Sequence, residues 1–269
     1  MTSFAQESSP LDHPSFTTHK NYVAFMRRIS DNLTLKHNNH LSGKMIISEA
    51  AKNKIQLVKL TVKNLEMEER MVRQYSEYAQ VAISWMPVKA YYMVFNLTLL
   101  LEYLISTDAG YLTTSHTSSL RQFRSLIKSG ELEFSHRFFN EVNTGKEIEE
   151  MKVGKYENLR ALTLTRRKQV LRKLADYAKD DIRRRDKAVK LNKRQMEEFR
   201  GRKFILSDLF YWYRIKVNYR DLEFLSAKVH PSEFRGFYND YYLLTRNFYR
   251  AYVECINKVS VYRVDSKLF

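Results

Sequence analysis

The sequence predicts an all-α protein built around one apolar helix. Its 269 residues include only 7 Gly and 4 Pro, too few for the many turns of a β protein. The stretch from Tyr91 to Ile105 is apolar except at Asn96, Thr98 and Glu102, so a helix here must be surrounded by other helices. The length is sufficient for one sizeable core. An antiparallel helical bundle is therefore expected.

The core helix is expected to run from Ser84 to Ile105. Ser84 is a suitable N-cap, and Pro87 would lie in the first turn, where its missing N–H costs nothing. The apolar run is shorter than the ~20 residues of a membrane span, and it carries Glu102. A soluble bundle is predicted, with no membrane contact.

The first part of the chain predicts a tail and a short helix. Met1–Thr18 is rich in Ser, Thr and Pro, which is typical of a loose segment. Asn21–Leu35 predicts an amphipathic helix, whose apolar side carries Tyr22, Phe25, Met26, Ile29 and Leu33. His37–Gly43 is expected to be a turn. Its His37 and His40 are three residues apart but lack a third ligand, so no metal site is expected.

Two more helices are predicted around the core helix. From Ile46 to about Met86, apolar residues recur every three or four positions, so this stretch should pair antiparallel with the core helix, with one break near Asn64. Ser115–Leu132 predicts a shorter helix that ends at Ser129 and Gly130, and Phe134–Arg160 predicts a connection.

The last third of the chain predicts two helices. Phe204–Tyr219 has one apolar side, made of Ile205, Leu209, Phe210, Tyr213 and Val217. Ser232–Ser260 carries a seam at alternating spacings of three and four, made of Phe234, Phe237, Tyr238, Tyr241, Leu244, Phe248, Tyr252, Cys255 and Val259. Such a seam forms either inside a bundle or between two copies of a chain.

The positive charge is concentrated in one segment. The chain has a formal net charge of +16. Thr165–Lys203 contains 16 Lys and Arg but only 6 Asp and Glu, a net charge of +10. Its sparse apolar residues fall near helical spacing, so one long, solvated amphipathic helix is predicted.

The basic helix has two interpretations. It could be an outer face with intrahelical ion pairs, but its Arg clusters have too few acids to pair with. A nucleic-acid contact is therefore favoured. The candidate contacts are Arg166, Arg167, Lys168, Arg172, Lys173, Lys179, Arg183, Arg184, Arg185, Lys187, Lys190, Lys193 and Arg194, joined by Arg214 and Arg220.

Composition also predicts the compartment. The single Cys255 excludes an internal disulfide, and it lies in an apolar helical pattern typical of a buried thiol. The first residues, MTSFAQESSPLDHPSF, do not resemble a secretory signal. A cytoplasmic protein without a metal or another cofactor is expected.

Three stretches, in this order, resemble the HEPN family of prokaryotic nucleotide-binding and RNA-cutting domains. They are KAYYMVFNLTLLLEYLI (Lys89–Ile105), SHTSSLRQF (Ser115–Phe123) and YRIKVNYRDLEF (Tyr213–Phe224). The nearest likeness is to a small HEPN group with an AYYAMF-like core helix and a Thr-His pair. The resemblance implies a HEPN-like bundle over 46–260 with the basic helix at 165–203 inserted, an N-terminal part at 1–45 and a tail at 261–269.

The resemblance also implies site residues. RNA-cutting HEPN proteins place an Arg and, four to six residues later, a His at a dimer cleft. Here Arg214 is followed after four residues by Tyr219, and that window has no His. Tyr219 is a poor base because an unperturbed phenol has a pKa of about 10. His116 matches the Thr-His position, where it could either line the cleft or form a structural hydrogen bond. Arg214, Tyr219 and His116 are therefore the candidate catalytic residues, although catalysis is not expected.

Three functions remain open at this stage. The favoured one is a homodimeric accessory protein of a CRISPR-type defence system that binds DNA or RNA and reinforces the grip of a larger effector protein. The second is a metal-independent ribonuclease or toxin. The third is an interaction module whose basic helix meets an acidic protein such as an antitoxin.

Overall fold

Helices dominate the protein, which confirms the all-α prediction. The computed structural model describes residues 14–140, 142–143, 172, 176, 179, 182–183, 186–201, 203–204, 210–211, 214 and 230–269. The elements bounded within these ranges are α1 (Pro14–Ile29), β1 (Leu35–His37), α2 (Glu49–Gln74), α3 (Tyr78–Ser106), a 3-10 turn (Ala109–Thr113), α4 (His116–Lys128), β2 (Leu132–Phe134), α5 (Arg137–Asn140), β3 (Val142–Asn143), α6 (Lys193–Gly201), β4 (Lys203–Phe204) and α7 (Pro231–Val264).

The helices α2 and α3 form the predicted antiparallel pair. Lys89 Nζ, in the first half of α3, lies 2.5 Å from Glu68 Oε1, in the second half of α2. At the opposite ends, the Ser48 N–H donates to the Tyr103 hydroxyl at 3.1 Å. Ser48 caps α2, since its side chain accepts from the Ala51 N–H.

The boundary between these helices differs from the prediction. Helix α2 continues through Asn64 without a break, and α3 begins at Tyr78 rather than at Ser84. Ser84 Oγ donates to the Val81 carbonyl at 2.6 Å, so Ser84 is not an N-cap. Pro87 lies inside the helix rather than in its first turn. The early turns of α3 bury Ala79, Ala82 and Ile83, and this packing outweighs the local start signal.

Helix α3 is the core helix, as predicted, and packs mainly against α7. The α7 seam lies in the same hydrophobic core, with all nine of its predicted residues buried within the chain. The seam is therefore formed inside the bundle rather than between copies. Helix α7 begins at Pro231, where His230 Nδ1 accepts the Ser232 N–H, and extends beyond Ser260 to Val264.

The N-terminal helix is shifted relative to the prediction. Helix α1 begins at Pro14, within the predicted tail, and ends at Ile29. Asn32 then adopts a left-handed conformation with φ 60°, which a right-handed helix cannot continue. Leu33 is buried although it lies outside the helix, and Leu35 begins β1. Residues of α1 and β1 belong to the same core as α2, α3 and α7.

Two antiparallel ribbons were not predicted. In the first, Leu35 pairs with Phe134 and His37 with Leu132, so His37 belongs to a strand rather than to a turn. In the second, Val142 pairs with Phe204, so the residue just past the basic insertion lies beside the segment predicted as a connection. Strands of two or three residues are too short to show the alternation by which strands are predicted.

The basic segment is not one continuous helix, which corrects the prediction for 165–203. Lys187 has φ 50°, and the Ala188 N–H bonds the Arg183 carbonyl at 2.9 Å. This pattern is typical of a helix end closed by a left-handed residue. Helix α6 then begins with a reciprocal capping box, in which Asn192 and Gln195 exchange side chain-to-backbone hydrogen bonds of 2.9 Å.

Helix α3 passes the length and composition test for a membrane span, but 72% of its most apolar window is buried inside the protein. Burial of this kind is expected of a core helix wrapped by neighbours.

Glu102 is a buried acid on α3 that is bonded by a residue of α4. We expect it to make the stability of the protein depend on pH. Ser119 Oγ donates to Glu102 Oε2 at 3.2 Å, whereas Oε1 has no hydrogen-bond partner. Burial raises the pKa of Glu102 to about 8, so the folded state holds a proton that the unfolded state releases near pH ~4.3. The free energy of unfolding should therefore fall by up to ~1.4 kcal/mol per pH unit between these values.

The Glu102→Gln variant tests this expectation in urea denaturation series from pH 5 to 8.5. It should lose the part of the pH slope due to Glu102, whereas Glu254→Gln, at an exposed position of α7, should keep the slope of the unmodified protein. Equal slopes for all three proteins would contradict the assignment.

Candidate nucleic-acid interface

The break in the basic segment forms an exposed basic turn, Lys187–Arg194. Its eight residues contain Lys187, Lys190, Lys193 and Arg194 and no carboxylate. All four cationic side chains are exposed. Within the described ranges, no carboxylate forms an ion pair with any of them. The turn therefore presents four positive charges to solvent.

The basic turn is held by contacts on both of its sides. Gln195 Nε2 donates to Asp186 Oδ2 at 2.7 Å, which joins the start of α6 to the end of the preceding helical residues. Lys179 Nζ lies 5.0 Å from the centre of the Phe199 ring, and Ile182 is buried. Asp186, the carboxylate directly before the turn, is thus already engaged by Gln195.

The remaining predicted contacts fall into three groups. Arg172 is exposed on a helix, as predicted. Lys179 and Arg183 are half-buried and engaged with other groups. The other predicted contacts in the segment and beyond it lie outside the described residues: Arg166, Arg167, Lys168, Lys173, Arg184, Arg185 and Arg220.

A second cluster brings together two of the candidate catalytic residues, His116 and Arg214. The Tyr91 hydroxyl lies 2.6 Å from His116 Nδ1. The Arg214 guanidinium lies over the Tyr91 ring, 5.1 Å from its centre, and is 5.2 Å from the centre of the Tyr92 ring. Phe95 completes the cluster, with its ring centre 4.2 Å from that of His116.

Each part of this cluster is placed by a helix. Tyr91, Tyr92 and Phe95 lie on consecutive turns of α3, and His116 is the first residue of α4, whose N-cap is Ser115. Arg214 is itself a helical residue and follows the basic segment in the sequence. His116 thus forms a structural hydrogen bond, one of the two roles expected for it, and its partner is the core residue Tyr91.

The electrostatics of the cluster keep His116 neutral. Burial, and secondarily the positive charge of Arg214, lower the pKa of His116. Burial raises the pKa of Tyr91 well above its usual value, so its hydroxyl keeps its proton and can donate to His116 Nδ1. The proton of a neutral His116 then lies on Nε2. The cluster offers one cation and one oriented imidazole, a combination that can bind an anionic oxygen.

The titration of His116 tests this geometry. Arg214→Met removes a positive charge and should raise the pKa of His116, because the imidazolium then meets less repulsion. The measurement is a pH titration of the imidazole signals by NMR. An unchanged or lowered His116 pKa in Arg214→Met would contradict the arrangement.

The remaining candidates are Tyr219 and the two histidines considered as metal ligands, His37 and His40. Tyr219 lies outside the described residues, so its relation to Arg214 stays a prediction. His37 Nε2 lies 3.4 Å from Glu131 Oε1, and His40 is exposed. No group of three metal-binding side chains occurs in the part of the chain that the structure describes.

The sequence pattern predicted no site role for Tyr91 and Tyr92 of α3. The AYY stretch was recognised as a core-helix motif, but nothing in it indicated that Arg214 would stack on both rings. The two clusters are also separate: no hydrogen bond, ion pair or ring contact joins the basic turn to the His116 cluster among the described residues.

Comparisons with protein-family models, with curated proteins and with solved structures find no match to this chain.

Proposed function

We propose that the protein binds DNA or RNA through its basic segment, with the basic turn at the centre of the contact. The observation that carries the proposal is the set of four exposed cations, Lys187, Lys190, Lys193 and Arg194, for which the described residues provide no carboxylate partner. Cations held in this way can neutralise phosphates and release the counterions condensed on them. Arg172 would extend the contact along the preceding helical residues.

The proposal includes the biological setting implied by the HEPN resemblance. The protein would be a cytoplasmic, homodimeric accessory protein of a prokaryotic, CRISPR-type defence system that reinforces the grip of a larger effector on its target. Support comes from the order of the motifs on α3, on α4 and around Arg214, and from the helical architecture. Because the α7 seam is closed within one chain, the proposed dimer would use a different surface.

A titration series tests the binding proposal. Purified protein is titrated against labelled duplex DNA, single-stranded DNA and RNA at two salt concentrations, with a chelator present. We expect retention of at least one of the three, with an affinity that falls steeply with salt. Indifference to all three polymers at low salt would overturn the proposal and leave the third hypothesis, an interaction with an acidic protein.

A metal-independent ribonuclease is the second candidate, because His116 and Arg214 meet on Tyr91. In this function His116 would transfer a proton to or from the ribose and Arg214 would hold the phosphate. The same titration lanes test it. RNA cutting that persists with chelator and is lost in both Arg214→Ala and His116→Ala would support the ribonuclease. Binding without cutting would exclude it for the polymers used.

A further inference from the structure

An exposed apolar stripe runs along α2. Leu57, Leu60, Met67 and Met71 are each between 42% and 64% exposed. Together with the exposed Asn64 they repeat at alternating spacings of three and four, which is the pattern of a coiled-coil seam. The core-facing side of α2 is a different one, made of Ala51, Ile55, Val58, Leu65 and Val72. Helix α2 therefore has a second apolar side, which is exposed and has no described element packed on it.

Trp85 widens this stripe onto α3. Lys89 pairs with Glu68, which places that face of α3 beside α2. Trp85 is one turn before Lys89 on the same face, and Met71 is three residues beyond Glu68. Trp85 is 58% exposed and borders the Met71 end of the stripe. Together the two helices present exposed apolar side chains in the pattern by which a groove binds an amphipathic helix.

The charges beside the stripe are positive. Lys63 and Arg70 lie on its side away from α3, and both are exposed without an ion pair to any described residue. Of the carboxylates nearby, Glu68 pairs with Lys89 and Glu69 with Arg73, whereas Glu66 lies farther round the helix from the stripe than Lys63 and Arg70 do. In an antiparallel pairing through the stripe, a second copy of this chain would bring its own Lys63 and Arg70 to the same border, where like charges repel.

We propose that the stripe docks an amphipathic helix of a partner protein, and that acidic side chains of this helix face Lys63 and Arg70. The distance from Leu57 to Met71 along the axis is about 21 Å, so the partner helix would have about four turns. Asn64 lies at the middle of the stripe and selects a polar residue at the facing position. This surface is separate from the basic turn, so the proposal holds whether or not the protein binds nucleic acid.

The test uses three fluorescein-labelled peptides of about 15 residues, the length of helix that spans the stripe. The first has leucine at the seam positions, one central asparagine and glutamate at the flanks. The second has the same residues in shuffled order, and the third has lysine in place of glutamate. In fluorescence anisotropy the first should bind the full-length protein at least about ten-fold tighter than the other two. Equal binding of the first and the shuffled peptide would overturn the proposal.

Two double variants locate the site. Leu60→Asp with Met67→Asp should weaken the first peptide about ten-fold or more, whereas Leu243→Asp, at an exposed apolar position of α7, should not. Lys63→Glu with Arg70→Glu should reverse the preference in favour of the lysine peptide. Circular dichroism confirms that each variant is folded. Unchanged peptide preference in the charge-reversed protein would contradict the proposal.

Sedimentation of the protein without peptide tests the competing occupant. If the chain forms a dimer that Leu60→Asp with Met67→Asp dissociates while Leu243→Asp does not, the stripe is covered by a second copy and the proposal is wrong. If these substitutions leave the sedimentation coefficient unchanged, the stripe is open to a partner, as proposed.

Discussion

The Arg263→Met variant is expected to lower the free energy of unfolding by about 3–5 kcal/mol. Arg263 is buried near the end of α7, and its guanidinium donates to four backbone carbonyls. The Nε–H donates to the Leu104 carbonyl at 2.9 Å and an Nη2–H to the Ile105 carbonyl at 2.7 Å. The other nitrogen, Nη1, donates to the carbonyls of Ser42 and Gly43.

The large effect has two physical causes. Leu104 and Ile105 lie in the last turn of α3, where carbonyls lack a helical partner and a cation is favourable. Ser42 and Gly43 lie in the segment between β1 and α2, so one side chain joins that segment to the ends of two long helices. Methionine fills a similar volume but leaves these carbonyls without a donor.

The measurement is urea denaturation followed by circular dichroism, with Arg250→Met as the matched control. Arg250 is exposed on the same helix, and its loss should change the free energy of unfolding by less than about 0.5 kcal/mol. If Arg263→Met were as stable as Arg250→Met, the guanidinium would not be the link between α3, α7 and the 42–43 segment.

The architecture follows from patterns that span many residues. The α7 seam was predicted residue by residue, because a helix buried along one side must place apolar residues every three or four positions. The apolar stretch of α3 likewise identified the centre of the fold. Helix α4 was also predicted, with Ser115 at its start and Gly130, which has φ 77°, just beyond its end.

The errors arose where local and distant influences compete. Ser84 has the chemistry of an N-cap, but burial of residues before it extends α3 to Tyr78. In the basic segment the apolar spacing suggested one helix, whereas the Asn192–Gln195 capping box and Lys187 divide it. The capping box is visible in the sequence as Asn-x-x-Gln and could have been used. The left-handed conformation of Lys187 has no comparable signal, because lysine has no preference for it.

The site was only partly predictable for a similar reason. His116 and Arg214 were chosen from a family resemblance, which implied that both could line one cleft but predicted no contact between them. Their meeting on Tyr91 depends on how α4 and Arg214 pack against α3. Side-chain neighbours between distant segments cannot be derived from periodicity.

The second large effect is expected from removing the charges of the basic turn. Replacing Lys187, Lys190, Lys193 and Arg194 with glutamine should weaken nucleic-acid binding by roughly 100-fold near physiological salt, if each cation neutralises one phosphate. The fold should be unaffected, because the four side chains are exposed and bond no described residue. A control protein carries the same change in net charge at exposed cations elsewhere, namely Lys36, Lys128, Arg235 and Arg250, replaced with glutamine.

The claim that the basic turn binds the phosphates is tested most directly by the salt dependence of binding. It is compared among the unmodified protein, the basic-turn variant and the control protein. On duplex DNA, the slope of log affinity against log salt concentration should become shallower by about 3 to 4 in the basic-turn variant, and it should change little in the control. Equal slopes for the basic-turn variant and the control would show that binding follows net charge alone. That result would contradict the claim that the basic turn grips the phosphates.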